Sequence, residues 1–462
     1  MVAHAAWREG DVMPLSGGRM WRLGAGVAGL ALALTAAGAV VGGAGEAPAA
    51  PAAAGAALGT GTRQDLRPLQ DHLRTRPKDA TAWAALGAAY VEEARAGGDP
   101  SRYPQAEEAF GRSLRLRPDE NADALAGRAA LAAARHDFTA ALRDAERALA
   151  VNPYSERGLA VRIDALVELG RYGEASAAAR TADARRPGIP VFTRFAYFHE
   201  LRGDTKEARR VLELALASAV RPADIAYTAT ALGQLAWNEG DYAEALRRCG
   251  HALRAEPGHQ EARDCRARAL AGQGDLRGAV KEFEGLTRLA PLPGRLVALG
   301  ELYEATGQRA RAEDQYALIG TWTELARAGG VNPDLDTALA AADHGDRADA
   351  LRAARAEWQR RRTVHTEDAL AWALHRSGRS AEALPHARRA TATGYRNAVF
   401  LYHRGMIERA AGDTAAARDS LSRALRLNPA FSPTGSVEAR RALDALGALD
   451  ALDALDAPEG AS

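Results

Sequence analysis

Apolar positions between residues 80 and 431 recur at helical spacing, in pairs of segments parted by a short polar turn. The stretch Leu232 to Pro257 shows the pattern in full. Leu232, Gly233 and Ala236 share one face of a first helix, and Tyr242, Ala245, Leu246, Ala252 and Leu253 face them from a second. Gly240 suits the residue just past the first helix, because a residue without Cβ adopts the left-handed conformation at little cost. Asp241 reads as the N-cap of the second helix, and Pro257 ends it. One such hairpin leaves its apolar face uncovered, so the pattern requires copies stacked beside it.

Those copies are present. Gly170, Gly203, Gly240, Gly274, Gly307, Gly345, Gly378 and Gly412 hold the same turn position, at spacings of 33, 37, 34, 33, 38, 33 and 34 residues. A small residue of the second helix keeps step: Ala106, Ala141, Ala175, Ala208, Ala245, Ala279, Ala312, Ala350, Ala383 and Ala417. Prolines 118, 153, 187, 257, 291 and 429 close units. No segment alternates as a strand would, so the expected class is all-α.

The fullest units are Trp83-Leu86-Gly87-Tyr90 with Ala106, Phe110 and Pro118, the stretch around Gly233, and Leu299-Gly300-Tyr303 with Ala312 and Tyr316. They resemble the tetratricopeptide repeat (TPR) family, in ten consecutive units from Thr81 to Phe431. The resemblance implies a right-handed superhelical α-solenoid of stacked helix-turn-helix hairpins, whose first helices line a concave groove that binds a protein or peptide partner. A structural accessory subunit of an envelope-assembly or cofactor-maturation complex is the alternative. With a leading cap helix from Asp65, the solenoid is expected over 65–435, followed by a capping helix and tail over 436–462. Between Thr321 and Asp334 the register slips, and residues 322–327 read as a continuation of the preceding helix up to Gly329-Gly330.

The first 62 residues differ from the rest. Arg19 and Arg22 precede a run from Leu23 to Val41 without charge, and a Gly/Ala/Pro-rich stretch follows. A basic flank, an apolar core and small residues fit a secretory signal peptide; the core also has the length of a membrane anchor. Residues 1–49 are assigned to this segment and 50–64 to a flexible linker. Either reading places the repeats outside the cytoplasm, secreted or held at the membrane by that segment alone.

The remaining chemistry points away from catalysis. The 462 residues carry a net charge of +1, which gives nucleic acid no reason to bind, and Arg360-Arg361-Arg362 lacks interleaved aromatics. There is no phosphate-binding loop, no nucleophile motif and no metal-ligand spacing, His365 and His375 included. The expectation is a protein without enzyme activity, cofactor or metal.

Candidate contact residues lie on the first helices. Tyr197 and Trp237 are placed in the groove. Asp368, Trp372, His375 and Arg376 form a stripe at i, i+4, i+7 and i+8, matched in the next unit by Tyr402, Met406 and Arg409. The expected result is an exposed apolar patch with a cationic end, where paired arginines take a carboxylate. Cys249 and Cys265 stand level across a turn centred near Pro257-Gly258; a disulfide and two buried thiols are both open.

Overall fold

The structure, a computed structural model, describes residues 66–456, with side chains to 447. The apolar segment and the linker assigned to 1–64 lie outside the described residues. Among those described, every regular element is helical. A leading helix, α1 (Arg67–Thr75), precedes ten hairpins. Unit one is α2 (Ala80–Gly97) and α3 (Tyr103–Leu116), joined through a 3₁₀ turn at Pro100–Arg102. Units two and three pair α4 (Ala122–Ala134) with α5 (Phe138–Val151), and α6 (Glu156–Glu168) with α7 (Tyr172–Arg185). Units four and five pair α8 (Ile189–Leu201) with α9 (Thr205–Ser218), and α10 (Pro222–Asn238) with α11 (Tyr242–Ala255). Units six and seven pair α12 (Gln260–Gly272) with α13 (Leu276–Leu289), and α14 (Pro293–Ala305) with α15 (Arg309–Ala328). Units eight and nine pair α16 (Asp334–His344) with α17 (Arg347–Arg360), and α18 (Val364–Arg376) with α19 (Ser380–Ala390). Unit ten is α20 (Ala398–Ala410) and α21 (Thr414–Leu427), and α22 (Gly435–Asp456) closes the stack. As expected, α15 continues through residues 322–327.

The hairpin turn has a repeated physical cause. In unit five the Asp241 N–H donates to the Ala236 carbonyl at 2.9 Å, a bond that closes the helix end once Gly240 takes φ +76°. The Asp241 carboxylate then accepts from the Glu244 N–H at 3.0 Å and starts the next helix. Asp137, Asp204, Asp275, Asp346 and Asp413 cap their helices the same way. Each cap is worth about 1 kcal/mol. Gly345 departs from the expectation: its φ and ψ are −142° and −154°, extended backbone that needs no glycine. In unit two the left-handed position is taken by His136, at φ +61°.

Pairing within a unit follows a knob over a small residue. The Phe110 ring lies over Gly87, where a Cβ would sit 2.8 Å from it, and the Tyr316 ring covers Gly300. Leu421 covers Gly405 in unit ten. Successive first helices pack on one another, α2 on α4, α4 on α6 and α16 on α18, so they form the inner wall and the second helices the outer one.

The array winds back onto itself. The turn of unit one meets Ala290 and Leu292, in the loop after unit six. In unit two, Arg135 and His136 reach the loop after unit seven: the Asn332 N–H donates to the Arg135 carbonyl at 3.0 Å, and His136 Nδ1 meets the Asn332 carbonyl at 2.7 Å. Gly170 of unit three stands against the Arg362 carbonyl, and Gly203 of unit four against that of Gly394. In unit five, Asn428 Nδ2 donates to the Trp237 carbonyl at 2.8 Å, and the Tyr242 hydroxyl to Asn428 Oδ1 at 2.6 Å. Each turn of units one to five thus rests on the loop that follows the unit five places on. The turn glycines 274, 307, 378 and 412 meet nothing within 4 Å.

This seam yields a matched comparison. Gly203 and Gly412 have φ of +78° and +85°, and alanine at either costs about 1–2 kcal/mol of backbone strain. Only at Gly203 would the new Cβ also collide with a carbonyl oxygen across the seam. Gly203→Ala is expected to raise amide hydrogen exchange in residues 391–397 by at least tenfold, and Gly412→Ala to leave those amides unchanged. Equal effects would show that the two main chains do not meet.

Candidate functional site: the inner face of the solenoid

The C-terminal stripe is built differently from the exposed patch its spacing suggests. Trp372 is 1% exposed, Tyr402 5%, Met406 8% and Asp368 2%. The Trp372 ring stacks on His403 at 4.1 Å and donates its Nε1–H to Asp343 at 3.0 Å. His403 in turn meets Asp368 at 2.9 Å. The α22 helix covers the far side, where Glu438 accepts from the Tyr402 hydroxyl at 2.6 Å and Ala439, Ala442 and Leu446 are buried. The apolar patch is therefore core. Arg376 turns to Asp343 and the Ala342 carbonyl while Arg409 stays exposed, so the two arginines form no carboxylate clamp. Burial first, then His403 and Arg376, push the His375 imidazole down to about 4, so it is neutral near pH 7.

The frame is the reason. Glu408 is fully buried and accepts from Arg404 at 2.7 Å and from the Ser420 hydroxyl at 2.6 Å. An ion pair thus replaces the apolar contact usual at those places, and Tyr402 and Met406 fill the core instead.

Open polar groups lie further back, in unit five. Trp237 and Gln234 stand three residues apart on α10, each 9% exposed. The Trp237 Nε1–H and the Gln234 Oε1 have no hydrogen-bond partner. Gln234 Nε2 is held by Asn238 at 3.3 Å, which fixes the amide, and the Arg268 guanidinium lies 5.9 Å from the indole centre. A donor and an acceptor, buried and unpaired on one helical face, have given up water without replacement, so a ligand that supplies both bonds gains their full value. Sequence spacing placed Trp237 here but missed Gln234, whose polarity at a first-helix position was the available signal. Tyr197 is half-buried on α8 beside the seam.

Cys249 and Cys265 are joined, with Cα atoms 6.2 Å apart. The pair ties α11 to α12, and both sulfurs lie over Gly233, the place that Phe110 and Tyr316 hold in their own units. The other buried charges are matched: Arg194 reaches Asp164 at 2.5 and 2.8 Å, and Arg361 bonds both Glu168 and Glu357. Among the described residues no group of three His, Cys, Asp or Glu is placed to hold a metal ion, and no described helix is long and apolar enough to cross a membrane.

The sequence model of the tetratricopeptide repeat matches residues 398–431, which are unit ten from the start of α20 to Phe431. Residues 398–431 thus form a tetratricopeptide repeat. A helical hairpin of the same kind recurs through the nine units before it. No curated protein matches the chain. Among solved structures it is similar to the human IFIT1 dimer with PPP-AAAA, at 15% identity and a TM-score of 0.45, over 78% of this chain and 86% of that one. PilW, a type IV pilus biogenesis factor, matches at 20% identity and a TM-score of 0.36, over 45% and 97%. A thermophilic TPR protein of Thermus thermophilus matches at 25% identity and a TM-score of 0.35, over 44% and 99%. TPR repeats suggest a protein-interaction scaffold, generally without catalysis.

Burial of Trp372 sets an expected outcome. Trp372→Ala removes a stacked, hydrogen-bonded ring from the packing beneath α22 and should cost about 3–5 kcal/mol. Melting followed by circular dichroism measures it. A stability close to that of the parent would return Trp372 to the surface.

Proposed function

We propose that this protein is exported and serves outside the cytoplasm as a scaffold that takes an extended segment of a partner protein along α10. The observation that carries the binding half is the unpaired Trp237 Nε1–H and Gln234 Oε1. They stand one helical turn apart and offer one donor and one acceptor, the complement of a peptide main chain, which presents one of each per residue. The indole face and Arg268 add surface for a side chain beside them. Export is supported by Arg19, Arg22 and the uncharged run from Leu23 to Val41. The Cys249–Cys265 bond is of the kind that persists in an oxidising compartment.

The binding half is tested by the double change Trp237→Phe with Gln234→Met, which removes both polar groups and keeps an aromatic ring, though a smaller one, on α10. Affinity purification of the tagged protein, read by mass spectrometry, should lose its specific partner with the variant. Melting should change little, because the loss of two buried unpaired groups offsets the gap left by the smaller ring. A variant that retains the partner would place the contact elsewhere. The export half is tested by fusing residues 1–60 to a reporter active only outside the cytoplasm; activity is expected, and its absence contradicts export.

A further inference from the structure

At the seam between units three and four and units nine and ten, five polar side chains gather, four of them without a hydrogen-bond partner and Tyr395 bonded to Asn397. Tyr172 opens α7, Tyr197 and Glu200 lie on α8, His365 opens α18, and Tyr395 precedes α20. Two banks of the solenoid supply them. Val364, Tyr395 and Phe400 of the later bank share one packed cluster with Phe198 and Leu201 of the earlier, and Tyr172 and Tyr197 border it. The His365 and Tyr395 rings are 6.1 Å apart. Tyr197 lies within electrostatic reach of Tyr395, Tyr172, Glu200 and Glu168.

What these groups lack is specific. The Tyr172 hydroxyl and both ring nitrogens of His365 are buried without a hydrogen bond. Among the described residues neither Glu200 nor the Tyr197 hydroxyl has a hydrogen bond or ion pair. His365 is 2% exposed and Tyr395 8%, while Tyr172, Tyr197 and Glu200 keep partial access to solvent. The group is thus closed to solvent at His365 and partly open at Tyr197 and Glu200. Three nearby arginines are already engaged. Arg209 holds Glu239 at 2.9 Å and Arg396 approaches the same carboxylate at 3.8 Å, while Arg361 is held by Glu168 and Glu357. Thr205 also donates to Glu239, at 2.6 Å.

One property is common to the open groups. A phenol oxygen, a neutral imidazole nitrogen and a carboxylate each accept hydrogen bonds, and an ammonium group brings three donors and no acceptor. Tyrosine faces add attraction for a cation. We infer that this group of side chains at the seam is a binding site for a primary ammonium group, carried by a free alkylamine or by a lysine side chain of a partner, with Glu200 as its counter-ion and Tyr172, Tyr197 and His365 as acceptors. This assignment is independent of the peptide contact on α10.

Protonation agrees with the geometry. Burial first, then Glu239, push the Glu200 carboxyl up to about 8, so at pH 7 it is mostly a neutral acid. Burial and Arg361 hold His365 well below its usual range, which keeps a ring nitrogen free to accept. A bound cation ionises Glu200, so binding below pH 8 releases a proton, and affinity rises about tenfold per pH unit until that point.

Calorimetric titration of the full chain tests the site. The probes are 1,4-diaminobutane and Nα-acetyl-lysine methylamide; 1,4-butanediol and Nα-acetyl-norleucine methylamide are the controls. Each is titrated at pH 7 in two buffers of different ionisation enthalpy. At least one amine should bind with release of nearly one proton, and neither control should bind. Binding of the diamine alone assigns the site to a free amine, and of the lysine derivative alone to a partner's side chain. Glu200→Gln mimics the neutral acid, so folding should hold while affinity falls at least tenfold and proton release disappears. Tyr197→Phe supplies a second variant with weaker binding and unchanged proton release. Failure of both amines, equal binding of a control, or a Glu200→Gln protein that binds and releases protons as before would each overturn the assignment.

Discussion

Where Gly203 meets the Gly394 carbonyl, two main chains come so close that no side chain can stand between them. The same approach recurs at Gly170 against Arg362 and at Gly240 against Leu427, where Asn428 adds hydrogen bonds to Trp237 and Tyr242. Because each contact joins the turn of one unit to the loop five units on, together they fix how tightly the solenoid winds. A looser winding would separate all five pairs at once. The inner wall is correspondingly crowded: Arg194 and Asp164 are paired across its helices, while Glu200 is left without an ion pair.

Within a unit the governing constraint is volume above a small residue. Phe110, Tyr316, Leu421 and the joined sulfurs of Cys249 and Cys265 are four chemically different solutions to one gap, above Gly87, Gly300, Gly405 and Gly233. The disulfide therefore acts as a packing element as well as a cross-link. Its partners come from α11 and α12, so it joins unit five to unit six, whereas Phe110 spreads over both Gly87 and Gly127 and joins units one and two by contact alone.

Local rules made much of this legible in the sequence. The repeat period, the left-handed turn glycines and the aspartate caps depend on neighbours within a few residues, and only Gly345 broke the pattern. The extension of α15 to Ala328 was readable for the same reason. The seam was not readable, since Arg135 and Asn332 are almost 200 positions apart and no periodicity relates a turn to a loop five units on. Trp372 shows the other limit. Its helical face was read correctly, but its burial depends on where His403, Asp343 and α22 come to rest, and these are placed by stacking. Glu200 and Tyr172 escaped notice, and His365 was weighed only as a metal ligand, because each is ordinary in its own unit and unusual only across the seam.

The winding itself is the claim on which the inner face, the polar group around Glu200 and the buried C-terminal stripe all rest. Pulsed electron spin resonance between nitroxide labels at the exposed positions 204 and 396, one on each bank of the seam, measures it most directly. The account predicts a short, narrow distance distribution in solution, unchanged by the presence of a partner segment on α10. A long or broad distribution, as an open superhelix would give, would contradict it.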